Sequence, residues 1–182
     1  MTAYLLDVRP ILEQIGASIH VVDPLDLAEL VVGDERFEMT EPPRVNVTVS
    51  NAGEALVAIG RIVAPVRAVC ARCLCTFETE IEGEVEGYWM RPGEEPAGEE
   101  EVSGSVDAEG SIDLGPVLVA ALVVEAPFAP LHDEECKGLC ATCGADLNAG
   151  ECGCTQGVTE EGPFSALKTL LEGSAEHDDG DE

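Results

Sequence analysis

Fifteen residues, "TFETEIEGEVEGYWM" (76–90), restrict this chain more than any other stretch. Glu78, Glu80, Glu82, Glu84 and Glu86 occupy every second position, and Phe77, Ile81, Val85 and Trp89 share the opposite parity. A period of two puts five carboxylates on the solvated face of a β-strand and the apolar set on its core face. A row of like charges also discourages edge-to-edge pairing with another molecule. Nothing in the pattern marks a buried, pKa-shifted carboxylate, which argues against a catalytic acid pair.

The preceding residues supply strand partners. "RVNVTVS" (44–50) alternates, with Val45, Val47 and Val49 on one face. "SNAGE" (50–54) has turn chemistry, and "ALVAIGRIVAPVRAV" (55–69) returns as a longer strand, which predicts a hairpin. Pro65 predicts that this second strand lies at an edge or breaks there. Residues 1–90 therefore read as mostly β. Residues 91–110 are rich in Pro, Gly and Glu and read as a mobile acidic loop or linker.

The next segment, 111–130, reads as a buried helix. Ser111 or Asp113 can cap it, Pro116 suits its first turn, and it should stop near Glu125, before Pro127. It is apolar nearly all round, so it is expected to lie buried against the sheet. "GPFSALKTLLEG" (162–173) predicts a second, short helix, and residues 174–182 a disordered acidic tail. The expected fold is α+β: an antiparallel sheet or meander packed on an apolar helix, with a zinc-ribbon-like C-terminal segment over 132–155. One domain, 1–172, would hold all of it.

Charge narrows the partners. Thirty-seven acids face nine lysines and arginines, a net charge of −28. Such a chain repels nucleic-acid phosphates at long range; it suits a basic protein partner or a high-salt cytoplasm. The exception is the stretch from residue 44 to 75, where Arg44, Arg61, Arg67 and Arg72 stand against one acid, Glu54. These arginines are either solvated strand residues or a local phosphate-contacting face. The most apolar window, "LGPVLVAALVV" (114–124), is too short to span a bilayer, and "MTAYLLDVRPILEQ" does not read as a leader. The expectation is a cytoplasmic protein with no membrane partner. In a reducing compartment, eight cysteines point to metal or redox chemistry rather than disulfides.

Five of those cysteines fall in "ECKGLCATCGADLNAGECGC" (135–154). Cys140-Ala-Thr-Cys143-Gly144 has zinc-knuckle spacing. Two intervening residues let both thiolates reach one ion, and the glycine permits the left-handed turn that follows. Cys152-Gly-Cys154 supplies two more thiolates, closing a tetrahedral zinc site with Cys140 and Cys143. A redox CxxC would sit at a helix N-terminus in a βαβ setting, which the flanking residues do not provide.

Upstream, "CARCLC" repeats the spacing with Cys70 and Cys73. His132 and Cys136, in "LHDEEC", are candidates to complete a second zinc site, their i, i+4 spacing suiting a helical face or an open turn. His132 could otherwise be a surface-loop histidine. Cys75 shares parity with Phe77 and is expected to face the core. Both sites would have their coordination filled by protein, with no open position, so the zinc would be structural. Its loss should loosen the C-terminal half.

These motifs together resemble the YceD family, whose members are called large ribosomal RNA subunit accumulation proteins. Cys70, Arg72, Cys73 and Leu74 resemble the family's C-x-R-C-L strand end. Ile112, Asp113, Leu114, Pro127, His132, Asp133 and Cys136 resemble its I-D-L start, apolar helix, proline and H-D-x-x-C ending. Pro163, Phe164 and Leu167 resemble its closing P-F-x-x-L, so the resemblance covers roughly residues 40–172. The segment around Cys140 to Cys154 is similar to a zinc-knuckle insertion found in many members.

The resemblance implies a role in synthesis, processing or stability of 23S ribosomal RNA and in large-subunit assembly, with no enzymatic activity. The residues offer no nucleophile–base pair, phosphate-binding glycine loop or open metal site, and no small-molecule substrate is expected. Precursor large-subunit RNA touched by Arg44, Arg61, Arg67 and Arg72, or a basic ribosomal protein held by the acidic surface, would be the partner. The rival readings are a thiol redox or metal-handling protein and an acidic adaptor for a basic partner.

Overall fold

The computed structural model describes residues 3–91 and 102–154. The elements in chain order are β1 (Leu5–Asp7), α1 (Arg9–Leu12), β2 (Ser18–Pro24), β3 (Glu29–Val32), β4 (Glu35–Met39), β5 (Arg44–Asn51) and β6 (Ala55–Val69). There follow β7 (Thr76–Met90), β8 (Gly104–Ser105), β9 (Ser111–Asp113) and α2 (Gly115–Glu125). Among the described residues the structure is thus mostly antiparallel sheet with two short helices. The predicted helix over 162–173 and the tail over 174–182 lie outside the described residues.

β6 is the hub of a seven-stranded sheet. It pairs with β7 along its whole length, with β5 up to Val63, and with β4 at Val66 and Arg67. The hairpin turn between β5 and β6 is closed by Asn51. Its side-chain amide donates to the carbonyls of Ile11 (2.7 Å) and Leu12 (3.0 Å), and its Oδ1 accepts from the Gly53 N–H at 2.8 Å. The Ile11 carbonyl, which also takes a long 3.4 Å bond from the Gln14 N–H, and the Leu12 carbonyl thereby gain a side-chain donor at the end of α1.

Pro65 neither breaks β6 nor puts it at an edge. Its carbonyl accepts from the Thr40 N–H at 3.0 Å, so its nitrogen faces the same side of the strand. That side is the gap where β5 has ended and β4 has barely begun, and no partner there needs the missing N–H.

The alternation of β7 comes through intact. Its five glutamates are exposed, while Ile81, Val85 and Trp89 are buried. They join Val45, Val47 and Val49 of β5 and Leu56, Ala58, Ile62, Ala64, Val66 and Ala68 of β6 in one apolar cluster.

The apolar helix is shorter and less covered than the sequence predicts. Ser111–Asp113 form β9, paired with β1, so the helix starts only at Gly115. Asp113 Oδ1 accepts from the N–H groups of Gly115 and Tyr4, both at 2.8 Å, tying the helix start to the N-terminal strand. Gly115, Leu118, Ala121 and Leu122 are buried, but Val123 is 37% and Val124 78% exposed. At Gly83 of β7 an added Cβ would lie 2.6 Å from the Ala121 carbonyl oxygen, so helix and strand backbones meet there. No helix among the described residues is long and apolar enough to cross a membrane.

Part of the stretch predicted as an acidic linker is built into the sheet. Ser103 N–H donates to the Tyr88 carbonyl and Val106 N–H to that of Met90; β8 runs parallel to the end of β7, and Val106 is buried. Residues 92–101 lie outside the described residues. The sequence predicts one domain to residue 172. The described residues fall into two compact units, one ending at Gly138 and one beginning at Leu139.

Candidate metal centres

Two tight turns, one in each unit, have the same hydrogen-bond pattern. In the first, Leu74 N–H donates to the Cys70 carbonyl at 2.9 Å and Cys70 N–H to the Cys75 carbonyl at 2.8 Å. In the second, Gly144 N–H donates to the Cys140 carbonyl and Cys140 N–H to the Ala145 carbonyl, both at 2.8 Å. The residue after the second cysteine is left-handed in both, with φ 61° at Leu74 and 73° at Gly144. Only Gly144 could be read from sequence as a left-handed position. Leu74 is the one non-glycine residue with positive φ among those described.

The first turn gathers ligands across the chain. Cys70, Cys73, His132 and Cys136 present donor atoms within 4.8 Å of one another. Cys70 Sγ lies 3.9 Å from Cys136 Sγ, and Cys73 Sγ lies 3.4 Å from His132 Nδ1. His132 and Cys136 come from an open turn rather than a helix. Asp133 shapes it, taking the Glu135 N–H on its side chain (2.8 Å) and the Cys136 N–H on its carbonyl (3.1 Å). Ala71 N–H donates to the Pro130 carbonyl, tying this turn to the chain beyond α2. Phe77 meets the His132 ring edge-on, with centroids 6.4 Å apart. Arg72 completes the surround: its guanidinium donates to the carbonyls of Glu134 (2.9 Å) and Cys136 (3.0 Å).

The second cluster is local. Cys140, Cys143, Cys152 and Cys154 also bring their donors within 4.8 Å. Asp146 Oδ1 accepts from the Asn148 N–H at 2.9 Å, turning the chain back toward Cys152. A tetrahedral ion with metal–sulfur bonds of about 2.3 Å sets neighbouring sulfurs about 3.8 Å apart. Both donor sets, three thiols with an imidazole and four thiols, fit such an ion.

Electrostatics favour thiolates at one position in each cluster. Burial pushes the Cys70 thiol up. The His132 side chain and the backbone amides of Cys73, His132 and Arg72 outweigh it and bring Cys70 down to about 5. The backbone amides of Cys143 and Thr142, with the Cys152 thiol, lower Cys140 to about 6. Cys154 moves the other way, pushed up to about 11 by the Cys143 side chain, burial and Cys152. The thiolate is the metal-binding form, so each cluster has a ready first ligand.

Cys75 does not face the core. It is exposed, and its sulfur lies 3.2 Å from Cys73 Sγ. The left-handed step at Leu74 breaks the strand parity that would have buried it. The predicted basic face is also different in kind. Arg44, Arg61 and Arg67 pair with Glu80 (2.8 Å), Glu82 (3.0 Å) and Glu78 (3.1 Å) of β7, and Arg67 also approaches Glu38. Cross-strand register brings the arginines and the glutamate row onto one surface, a relation that neither segment shows by itself.

Residues 59–171, more than half of the chain, match the profile of the family described as large ribosomal RNA subunit accumulation protein YceD. The chain belongs to the YceD family. The matched span takes in both clusters. Among curated relatives, the uncharacterized protein ML1660 of Mycobacterium leprae is 28% identical over 144 residues, 78% of this chain and 66% of its own length. Uncharacterized proteins Mb2951c of Mycobacterium bovis and Rv2926c of Mycobacterium tuberculosis are each 30% identical over 106 residues, 57% of this chain and 50% of theirs. The chain thus spans from one half to just under two thirds of these relatives. No solved structure matches it.

Proposed function

We propose that this YceD protein is a non-catalytic cytoplasmic factor supporting the synthesis, processing or stability of 23S ribosomal RNA, with structural zinc in both clusters. The observation that carries the reading is the family match, whose description names accumulation of the large-subunit RNA. The donor sets support the structural part. Four protein ligands at each cluster leave no coordination position for water or substrate, as expected of zinc that holds a fold together. The first cluster would fasten the end of β6 to the chain beyond α2. The second would close a zinc-ribbon-like unit by itself.

A basic ribosomal protein is favoured over RNA phosphate as the direct partner. The net charge of −28 repels phosphate. Arg44, Arg61 and Arg67, the strand arginines of the basic island, each carry a carboxylate neighbour. Depleting the protein in its own host should lower the ratio of large- to small-subunit RNA. An unchanged ratio overturns the reading. Zinc that exchanges freely would favour the metal-handling alternative.

A further inference from the structure

Cys75 is not needed to build its turn. Ala145 holds the same place in the second turn and accepts the same backbone hydrogen bond, from Cys140 N–H as Cys75 does from Cys70 N–H. Nor is Cys75 among the four donors of the first cluster. It is nevertheless exposed, with its sulfur 3.2 Å from that of Cys73, which is buried and also touches His132. The chain has therefore put a solvent-facing thiol against a ligand thiol at a position where alanine would serve the fold.

We propose that Cys75 and Cys73 form a peroxide-sensitive dithiol whose oxidation takes one donor away from the first cluster. Hydrogen peroxide reaches the exposed partner first. The Cys75 sulfur attacks one peroxide oxygen, the O–O bond breaks, and sulfenic acid and water form. The Cys73 thiolate then leaves the ion and attacks the Cys75 sulfur. An S–S bond forms, the S–O bond breaks and hydroxide departs. Two sulfurs have each lost one electron, and the peroxide has taken both. Cys70, His132 and Cys136 remain as three ligands, too few to hold a structural ion tightly. The second cluster has alanine at the matching position and lacks this route.

This inference rests on the first cluster holding zinc, and the test separates the two. Zinc-loaded full-length protein is treated with hydrogen peroxide while a colorimetric chelator reports free metal. Trypsin cleavage after Arg72 yields one peptide, 73–137, because the Arg91–Pro92 bond resists trypsin. It carries Cys73, Cys75 and Cys136, and fragment sequencing shows which two thiols have lost alkylation together. The wild type should release one ion ahead of the other, with both thiols blocked together and both effects reversed by dithiothreitol and zinc. Cys75→Ser and Cys75→Ala should bind zinc as the wild type does but release the first ion at least about tenfold more slowly. Equal release rates in wild type and variants, or a disulfide joining Cys73 to Cys70 or Cys136, overturns the proposal. A chain that holds no ion but forms the Cys73–Cys75 bond overturns the zinc reading and leaves the dithiol standing.

Discussion

Leu74 adopts the left-handed backbone of Gly144, φ 61° against 73°, one residue after the second cysteine of its turn. An L side chain in that region costs about 1–2 kcal/mol, and glycine does not incur it. Leu74 is 63% exposed, so its side chain contributes little burial. Leu74→Gly should therefore raise stability by up to about 1 kcal/mol after the extra chain entropy of glycine is counted. The reverse change, Gly144→Val, should weaken the second turn. Chemical denaturation of the zinc-loaded forms measures both, and a clear loss of stability in Leu74→Gly would show that the turn does not carry this strain.

Purified protein should contain two zinc ions per chain. Cys73→Ser and Cys143→Ser should each contain one, because the two donor sets share no residue. Elemental analysis of the three proteins decides this. One ion in the wild type, lost only in Cys143→Ser, would remove the first site.

Zinc binding at pH 7 should release fewer protons than the number of ligand thiols. The clusters hold seven ligand cysteines, and Cys70 (about 5) and Cys140 (about 6) are already thiolates at that pH. At most five thiol protons should leave. Both values lie below the ordinary thiol value of 9, so the two thiolates fill with protons only as the pH falls through 6 and then 5. The number released should rise over that window. Titration calorimetry in buffers of different ionisation enthalpy counts the protons, and seven at pH 7 would contradict the assigned thiolates.

Arg72→Ala should weaken metal binding at the first cluster by about 10–100-fold, since Arg72 braces the backbone that presents Cys136. Arg61→Ala should leave that affinity unchanged and alter stability by no more than about 1 kcal/mol, because its ion pair with Glu82 is exposed. Competition with a chelator of known affinity compares them. Equal effects of the two changes would deny Arg72 its bracing role.

Gly83→Ala should destabilise the first unit by about 1–3 kcal/mol. The new methyl would meet the Ala121 backbone at 2.6 Å, and backbone cannot swing aside as a flexible side chain can. Urea denaturation measures the cost, and a neutral result would mean that helix and strand can separate there freely.

Short-range pattern was enough to read β5, β6 and β7, the hairpin turn and both cysteine clusters. Alternation and CxxC spacing express local backbone geometry, and thiol chemistry restricts what four gathered cysteines can do. Other features depended on which segments meet. Pro65 is tolerated inside β6 because two different strands flank it. Ser111–Asp113 became strand because Leu5–Asp7 lie beside them. Cross-strand register turned a basic island into carboxylate partners, and the left-handed step at Leu74 brought Cys75 to Cys73. Periodicity along one chain carries no record of the neighbour across the sheet, and that neighbour decided each of the first three outcomes; the fourth turned on a backbone step that no glycine announces.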